Sequence, residues 1–336
     1  MLRNYWYIAC ASSRLENTPR AAKVCDQELV LFRDAEGQPH ALLDRCCHRG
    51  VRLSRGRVCE GRIACGYHGW QFNGQGQCLH IPALNDGRRI PRGFEVPAYP
   101  CVEQDAYIWV WIGDGDPVPA RPDRIPDLEG HGWRQGEAHF KCSNTMVIEN
   151  QFDIIHPAFV HVGTHPAYYF ARTLGPRDES FEVRLTDKGM IAFAPPTAAA
   201  TDPIPEKPFF RIIWELPDRV WVKTSLLTLL THVVPTGPNT CRMEWIERKK
   251  DPKATGITWD DKAHLLTDQD RIMETAQEWY DRDGDAFERS IEVDFVTLLV
   301  RQVTELARRG VWGSRRSSLN QRRVLHYRLA SAAEVA

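Results

Sequence analysis

Residues 46–68 read CCHRGVRLSRGRVCEGRIACGYH. Cys46-Cys47-His48 opens this stretch, and Cys65-Gly66-Tyr67-His68 closes it after sixteen intervening residues. Each half offers one thiolate and one imidazole. Each also lies beside short β-prone runs, 41–44 before the first and 62–65 and 70–72 around the second, so two loops can close over one metal group. A [2Fe-2S] centre with two Cys on one iron and two His on the other needs this ligand set. A Cys2His2 zinc site uses the same residue types. Zinc spacings usually keep Cys with Cys and His with His, whereas each half here mixes them, so the cluster is the preferred reading. Cys47, Cys59, Cys78 and Cys101 read as ordinary small or buried thiols.

Working outward, the flanks are strand-like. Residues 28–33 and 41–44 form a hairpin across the turn residues 34–37, Asn73-Gly74-Gln75-Gly76 is another turn, and 107–112 is a strongly β-prone run. Pro117, Pro119, Pro122 and Pro126 then mark a linker. The expected organisation is an all-β domain over residues 1–118 and a second domain over 119–336. In the second, 144–158 reads as helix. Strands are expected at 181–185, 190–193, 210–215, 220–225, 228–234 and 241–247, and helices at 260–280 and 295–308. This order suits an antiparallel sheet with helices on one face, an α+β class overall. Residues 194–207, rich in Pro, Ala and Thr, are expected to be a mobile loop.

A second constellation lies at Asn150-Gln151-Phe152-Asp153-Ile154-Ile155-His156, with His161 after four intervening residues. Asp153 and His156 share a helix face, and Pro157 turns the chain so that His161 swings back. Two His and a carboxylate form the facial triad that leaves positions open for O2 on ferrous iron. Asp153 is the local carboxylate, and His165 is a competing ligand.

Taken together, Cys46-x-His48, Cys65-x-x-His68-Gly69-Trp70 and Asp153-x-x-His156-x-x-x-x-His161 resemble the oxygenase component of Rieske non-haem iron oxygenases. Asn4-Tyr5-Trp6-Tyr7, His48-Arg49-Gly50 and Ile108-Trp109-Val110-Trp111 suit the same family. The chain looks most like the monooxygenase branch that includes vanillate O-demethylase and dicamba monooxygenase. The resemblance implies a Rieske [2Fe-2S] domain followed by a helix-grip catalytic domain. It implies Cys46, His48, Cys65 and His68 as cluster ligands and His156 and His161 on a mononuclear Fe(II). The third iron ligand it implies is Asp294, at the start of the C-terminal helix, with Glu292 and Asp285 as weaker candidates. Asp153 would then bridge the iron site to a Rieske His of a neighbouring subunit, and Asn150 would sit near the iron. Val51 and Tyr67 stand where high-potential Rieske proteins carry an extra cysteine pair. Cys47 and Gly66 depart from the family, which usually has Pro at both places.

The resemblance further implies a homotrimer fed with NAD(P)H electrons by a separate flavin reductase, directly or through a ferredoxin. One oxygen atom of O2 would enter an apolar, aromatic or polycyclic substrate, by oxidative demethylation or hydroxylation. A chlorophyll-catabolism oxygenase is disfavoured, because its C-terminal CxxC has no counterpart after Cys241. Expected pocket residues are Phe152, Phe159, Tyr168, Tyr169, Phe170, Phe209, Phe210, Ile212, Trp214, Leu226 and Leu229. The rival reading is a Rieske electron-transfer protein fused to a hydrophobic-ligand-binding domain. Composition narrows the field. A formal net charge of -1 over 336 residues argues against a bulk nucleic-acid binder. No run is long enough to span a bilayer, and no secretory signal is visible. Ten scattered cysteines then suit reduced thiols and metal ligands in a cytoplasmic enzyme.

Overall fold

Tyr107-Ile108-Trp109-Val110-Trp111-Ile112 is buried at every position, as a central strand must be when both of its faces are covered. In the computed structural model of the chain it is the middle strand of a three-stranded sheet. The structure describes residues 1–85, 88–125, 133–165, 175–206, 208–224, 227–249, 267–284, 288–319, 321–329 and 334. Two compact units separate, Met1–Glu129 and Gly130–Ala336.

The first unit is all-β. Its strands are β1 (Tyr5–Ala11), β2 (Arg20–Val24), β3 (Gln27–Arg33), β4 (Pro39–Leu43), β5 (Arg57–Cys59), β6 (Arg62–Ala64), β7 (Gln71–Phe72), β8 (Cys78–His80), β9 (Ala98–Tyr99), β10 (Cys101–Gln104) and β11 (Tyr107–Ile112). They pair in the orders β1-β11-β10, β2-β3-β4-β9 and β5-β6-β7-β8. The 46–51 loop follows β4, and the 65–70 loop joins β6 to β7. Cys46 and Cys65 belong to a buried cluster with Val30, Phe32, Leu42, Leu53, Ile63, Trp70 and Phe72. The two loops are thus anchored through their first residues.

The second unit is an eight-stranded antiparallel sheet ordered β12-β18-β17-β16-β15-β14-β13-β19. Its strands are β12 (Trp133–Phe140), β13 (Arg177–Leu185), β14 (Gly189–Ala194), β15 (Phe210–Glu215), β16 (Arg219–Thr224), β17 (Leu227–Gly237), β18 (Thr240–Lys249) and β19 (Arg322–Leu329). The helices are α1 (Asn144–Phe152), α2 (Pro157–Val160), α3 (Ile272–Asp283), α4 (Phe295–Arg308) and α5 (Trp312–Arg315). Val296, Leu299, Val300 and Val303 recur at helical spacing and form the buried stripe of α4. They share a core with Val147, Ile148 and Phe152 of α1 and with Phe181, Met190, Trp214 and Val233 of the sheet. Each such side chain contributes about 1.5–3 kcal/mol by leaving water. The helices therefore grip one face of the sheet, the expected α+β arrangement.

Two expectations need correction, and a third is described only in part. The helix expected over 144–158 ends at Phe152, because Asp153 takes an extended backbone (φ -75°, ψ 106°). The expected 260–280 helix is described only in part, as residues 260–266 lie outside the described residues. Residues 194–206 are pinned rather than loose. Fully buried Glu182 accepts hydrogen bonds from Thr197 N (2.8 Å) and Thr197 Oγ1 (2.9 Å), and from Arg184 and Arg322. Arg184 also reaches Asp202 O at 2.7 Å. Burial alone would raise the Glu182 pKa, but Arg322, Arg184 and Thr197 outweigh it and hold the carboxyl down at about 2.

Candidate metal centres

The two loops of the first unit have matching frames. Cys46 N donates to Val51 O and Gly50 N to Cys46 O, both at 2.9 Å. Cys65 N donates to Trp70 O at 2.8 Å and Gly69 N to Cys65 O at 3.0 Å. Gly50 and Gly69 have φ of 74° and 72°, a conformation that glycine adopts without steric cost. These bonds hold Cys46 and Cys65 buried while His48 is half-buried and His68 is exposed. Cys65 is near enough to Cys46 to bear on its thiol. The imidazoles meet at 4.6 Å between ring centroids. His48 stacks on Trp70 at 4.4 Å, nearly parallel, and Trp70 stacks on Phe94 at 5.3 Å.

The donor set fits a [2Fe-2S] group. His48 Nδ1 is buried with no hydrogen-bond partner, a costly state for a neutral imidazole nitrogen unless a metal takes its lone pair. Burial, with a smaller contribution from Cys65, pushes the Cys46 thiol up to about 12, so iron binding must displace that proton. Gly66 lies close to the chain: a Cβ there would stand 2.8 Å from Arg55 O. Cys47 is exposed between the two candidate ligands.

In the second unit, Ser143 caps α1 by accepting from Met146 N at 3.3 Å. After Phe152, Asp153 Oδ1 accepts from Ile155 N (2.8 Å) and His156 N (3.2 Å). This turn sets His156 at the start of α2, and Pro157 occupies the first helical position. His156 Nδ1 lies 2.7 Å from Asp153 O. A carbonyl only accepts, so Nδ1 carries the proton and Nε2 keeps a lone pair. His161 Nδ1 lies 3.2 Å from Gln269 Oε1, which Thr164 Oγ1 also engages at 2.8 Å. That arrangement leaves His161 Nε2 free in the same way.

Both Nε2 atoms face one carboxylate. Asp270 Oδ1 is 3.3 Å from His161 Nε2 and 3.6 Å from His156 Nε2, and Asn150 Nδ2 donates to it at 3.1 Å. One ligand atom from each of His156, His161 and Asp270 lies within 4.8 Å of the others. These are the two imidazoles and one carboxylate that ferrous iron takes in a facial triad. Burial lowers the His156 pKa, despite opposing pulls from Asp153 and Asp270, and so favours the neutral, ligating form. The His165 ring lies 5.7 Å from that of His161, tilted by 36°. Burial first, then His161 and His156, depress its pKa to about 3.

The carboxylate meeting the two His is therefore Asp270, where the sequence reading expected Asp294. Asp294 closes a 3-10 turn, Glu292–Asp294, and its Oδ2 accepts from Ile291 N at 2.8 Å. This carboxylate closes the 3-10 turn that precedes α4. Glu292 lies 3.9 Å from Arg323, and Asp285 lies outside the described residues. Asn150 is near the triad as expected, through its bond to Asp270. Asp270 follows a short helical stretch at 267–269 and carries no local motif. Its one sequence signal was an acidic residue in the segment read as helix over 260–280.

A cavity of about 380 Å³ is lined by Ile154, Ile155, Ala158, Phe159, Tyr327 and Leu329, with Arg328 and Glu334. Of the expected pocket residues, Phe159 borders it. Phe152 and Trp214 are fully buried, and Phe210 and Ile212 pack with the same core. Phe209 is exposed, and Leu229 is half-buried. Tyr168, Tyr169, Phe170 and Leu226 lie outside the described residues. No helix among the described residues is long and apolar enough to cross a membrane.

Residues 5–100 match the family model described as the Rieske [2Fe-2S] domain. The chain is 40% identical over 167 residues to "Chlorophyllide a oxygenase, chloroplastic" of Chlamydomonas reinhardtii, covering 48% of this chain and 25% of that protein. It is 38% identical over 165 residues to "Dicamba O-demethylase, oxygenase component" of Stenotrophomonas maltophilia, covering 48% of each. The chain thus spans about half or less of the length of the curated relatives it matches. Among solved structures, dicamba monooxygenase bound to dicamba superposes with a TM-score of 0.71 at 24% identity, covering 92% of this chain and 98% of that one. Pseudomonas putida CBB5 NdmA superposes with a TM-score of 0.74 at 22% identity, covering 96% of each chain. Those likenesses establish a shared fold over nearly the whole length.

Proposed function

We propose that this chain, whose residues 5–100 are a Rieske [2Fe-2S] domain and which has the fold of dicamba monooxygenase, is the terminal oxygenase of a multicomponent Rieske monooxygenase. Its substrate is aromatic or polycyclic, and its reaction is oxidative demethylation or hydroxylation. A separate reductase supplies the electrons. The observation that carries this reading is the convergence of His156, His161 and Asp270 in a chain that also presents Cys46, His48, Cys65 and His68.

In this reading Cys46 and Cys65 hold one iron of the cluster and His48 and His68 the other. His156, His161 and Asp270 hold the mononuclear iron. When bound, the cluster supplies single electrons, and the ferrous iron supplies a site for O2. The chain's own residues do the positioning. Asp153 O and Gln269 Oε1 fix which nitrogen each imidazole presents. Asn150 holds Asp270 by one oxygen. Asp153 keeps Oδ1 on the turn and leaves Oδ2 on a partly exposed side chain, 3.9 Å from His156 Nδ1. There Oδ2 accepts a hydrogen bond from a cluster imidazole of a neighbouring copy in a homotrimer. The cavity beside Ile155 and Phe159 offers apolar walls suited to an aromatic ligand. Ten free thiols suit a reducing, cytoplasmic setting.

The test is metal and sulfide content after anaerobic purification, with EPR after dithionite and after nitric oxide. The expected result is about three iron per two sulfide, with a Rieske signal and an iron–nitrosyl signal. About two iron per two sulfide, with no nitrosyl signal after ferrous iron is added back, would leave an electron-transfer protein instead.

A further inference from the structure

Asp44 follows β4 directly and stands two residues ahead of Cys46. No step of the proposed reaction uses it, yet its side chain is 0% exposed. Burying a carboxyl group costs free energy unless its oxygens find donors, and here both do. Ser54 N donates to Asp44 Oδ1 at 2.7 Å, and Ser54 Oγ donates to Asp44 Oδ2 at 2.6 Å. Both are short for bonds of their kinds. Arg52 Nη1 reaches Oδ2 at 3.4 Å while donating to Glu28 at 2.9 Å. The backbone is fixed as well, since Asp44 N donates to Glu28 O at 2.9 Å.

These bonds close residues 44–54 into a ring that contains Cys46 and His48. What the carboxylate grips is a 3-10 turn, Leu53–Arg55. Leu53 is fully buried in the same group of side chains as Cys46 and Cys65. The turn also meets the second ligand loop. Arg55 O stands 2.8 Å from where a Cβ on Gly66 would be, and a Cβ on Gly56 would run into Ala64 O. Ala64 and Gly66 flank Cys65. One turn thus lies against both loops, hydrogen-bonded to the foot of the first and in backbone contact with the second.

We propose that Asp44 is a positioning residue for the cluster: through Ser54 it fixes the 53–55 turn, and through that turn the spacing between the Cys46–His48 and Cys65–His68 pairs. Among the described residues Asp44 hydrogen-bonds to none of these four, so it acts on the cluster through the turn. A [2Fe-2S] group is a rigid body of fixed size. Loops whose spacing relaxes hold it less firmly and turn their imidazoles to new angles, as happens when the groups supporting metal ligands are lost. The proposal rests on the reading of 46–68 as a Rieske centre, which iron, sulfide and EPR on the wild-type chain test separately.

The experiment uses the full chain purified anaerobically with its cluster, as wild type, Asp44→Ala, Asp44→Asn, Ser54→Ala and Arg33→Gln. Arg33 belongs to the same unit and pairs with Glu103 at 2.7 Å, so its loss weakens the unit without touching the 53–55 turn. Three quantities are read: g-values and imidazole nitrogen couplings of the dithionite-reduced cluster, the rate of cluster loss to an iron chelator, and the urea midpoint. Asp44→Ala should lose its cluster at least about tenfold faster than wild type, with shifted g-values and couplings. Asp44→Asn keeps an oxygen for Ser54 N, and Ser54→Ala keeps that backbone bond, so both should fall between Asp44→Ala and wild type. Arg33→Gln should lower the urea midpoint and leave the spectrum and the chelation rate unchanged. Wild-type spectra and chelation rates in Asp44→Asn and Ser54→Ala overturn the proposal, and these two decide the matter if Asp44→Ala does not fold. Changes in Arg33→Gln as large as those in the Asp44 variants overturn it too, because lost stability rather than lost position would then be the cause.

Discussion

Replacing Gln269 by Leu isolates one hydrogen-bonded link from the rest of the iron site. Gln269 Oε1 holds two groups at once, His161 Nδ1 at 3.2 Å and Thr164 Oγ1 at 2.8 Å. His161 and Thr164 are 4% and 7% exposed, so water does not readily replace the lost acceptor. Leaving a buried donor without a partner costs about 1–3 kcal/mol. His161 can relieve that cost by moving its proton to Nε2 or by turning its ring, and either change removes the lone pair aimed toward Asp270. Iron affinity at His156, His161 and Asp270 should therefore fall by about 10–100-fold, the usual range for losing an orienting partner of a metal-bound imidazole. His156 makes a useful contrast, since its orienting acceptor is the Asp153 carbonyl, which no side-chain substitution removes. The assay is anaerobic Fe(II) titration of iron-depleted protein, read as nitrosyl EPR amplitude, with the Rieske signal as internal control. Gln269→Glu keeps an acceptor and should retain wild-type affinity within a few-fold. Wild-type iron affinity in Gln269→Leu, with the cluster intact, would refute the reasoning.

Asp270→Ala should lose the mononuclear iron and keep the cluster. Asp294→Ala should keep both and lose about 1 kcal/mol of stability through its hydrogen bond from Ile291 N; iron counts on the two variants separate these outcomes. Asp153→Asn retains an oxygen that can accept from Ile155 N and His156 N, so metal content should hold while the carboxylate charge is lost and turnover collapses; full turnover with intact metals would remove its bridging role. Glu182→Gln should destabilise the catalytic unit by on the order of 3 kcal/mol near neutral pH, because the folded carboxyl sits at about 2 against an ordinary 4.5. A depressed folded pKa means this stabilisation is complete above the unfolded value and is lost as pH falls through the folded one. Urea midpoints should therefore converge between wild type and variant as pH drops from about 4.5 toward about 2, and a constant gap would exclude the carboxylate as its source.

Much of the architecture was legible because its residues face one environment each. The 107–112 run is buried throughout, and the α4 stripe repeats at helical spacing, so strand and helix follow from local pattern. In the second unit the strands that escaped the reading, β12 and β19, are the two edges of the eight-stranded sheet. Edge strands carry charge to discourage further pairing, and WRQGEAHF and RRVLHYRL have little of the alternation that marks a half-buried strand. The pinned loop was hidden for a related reason: its anchor is Glu182, which lies outside the loop and bonds to two arginines 138 residues apart, Arg184 and Arg322.

The proposed cluster residues and the two histidines of the proposed triad sit in short motifs whose spacing is itself the geometry, since loops of a few residues leave little freedom in where a side chain ends. Asp270 differs in kind. It lies more than a hundred positions from Asn150, and its place depends on how the chain returns from β18 to α3. Asp294 looked suitable because it opens a C-terminal helix, but its carboxylate turns back to Ile291 N, ahead of the 3-10 turn. Asp270 is not occupied in that way. One of its oxygens receives Asn150 and faces both imidazoles, and the neighbouring Gln269 orients His161. Residues 269–270 therefore supply both a proposed ligand and the group that aims another, so a shift of this segment would disturb two of the three proposed iron ligands together.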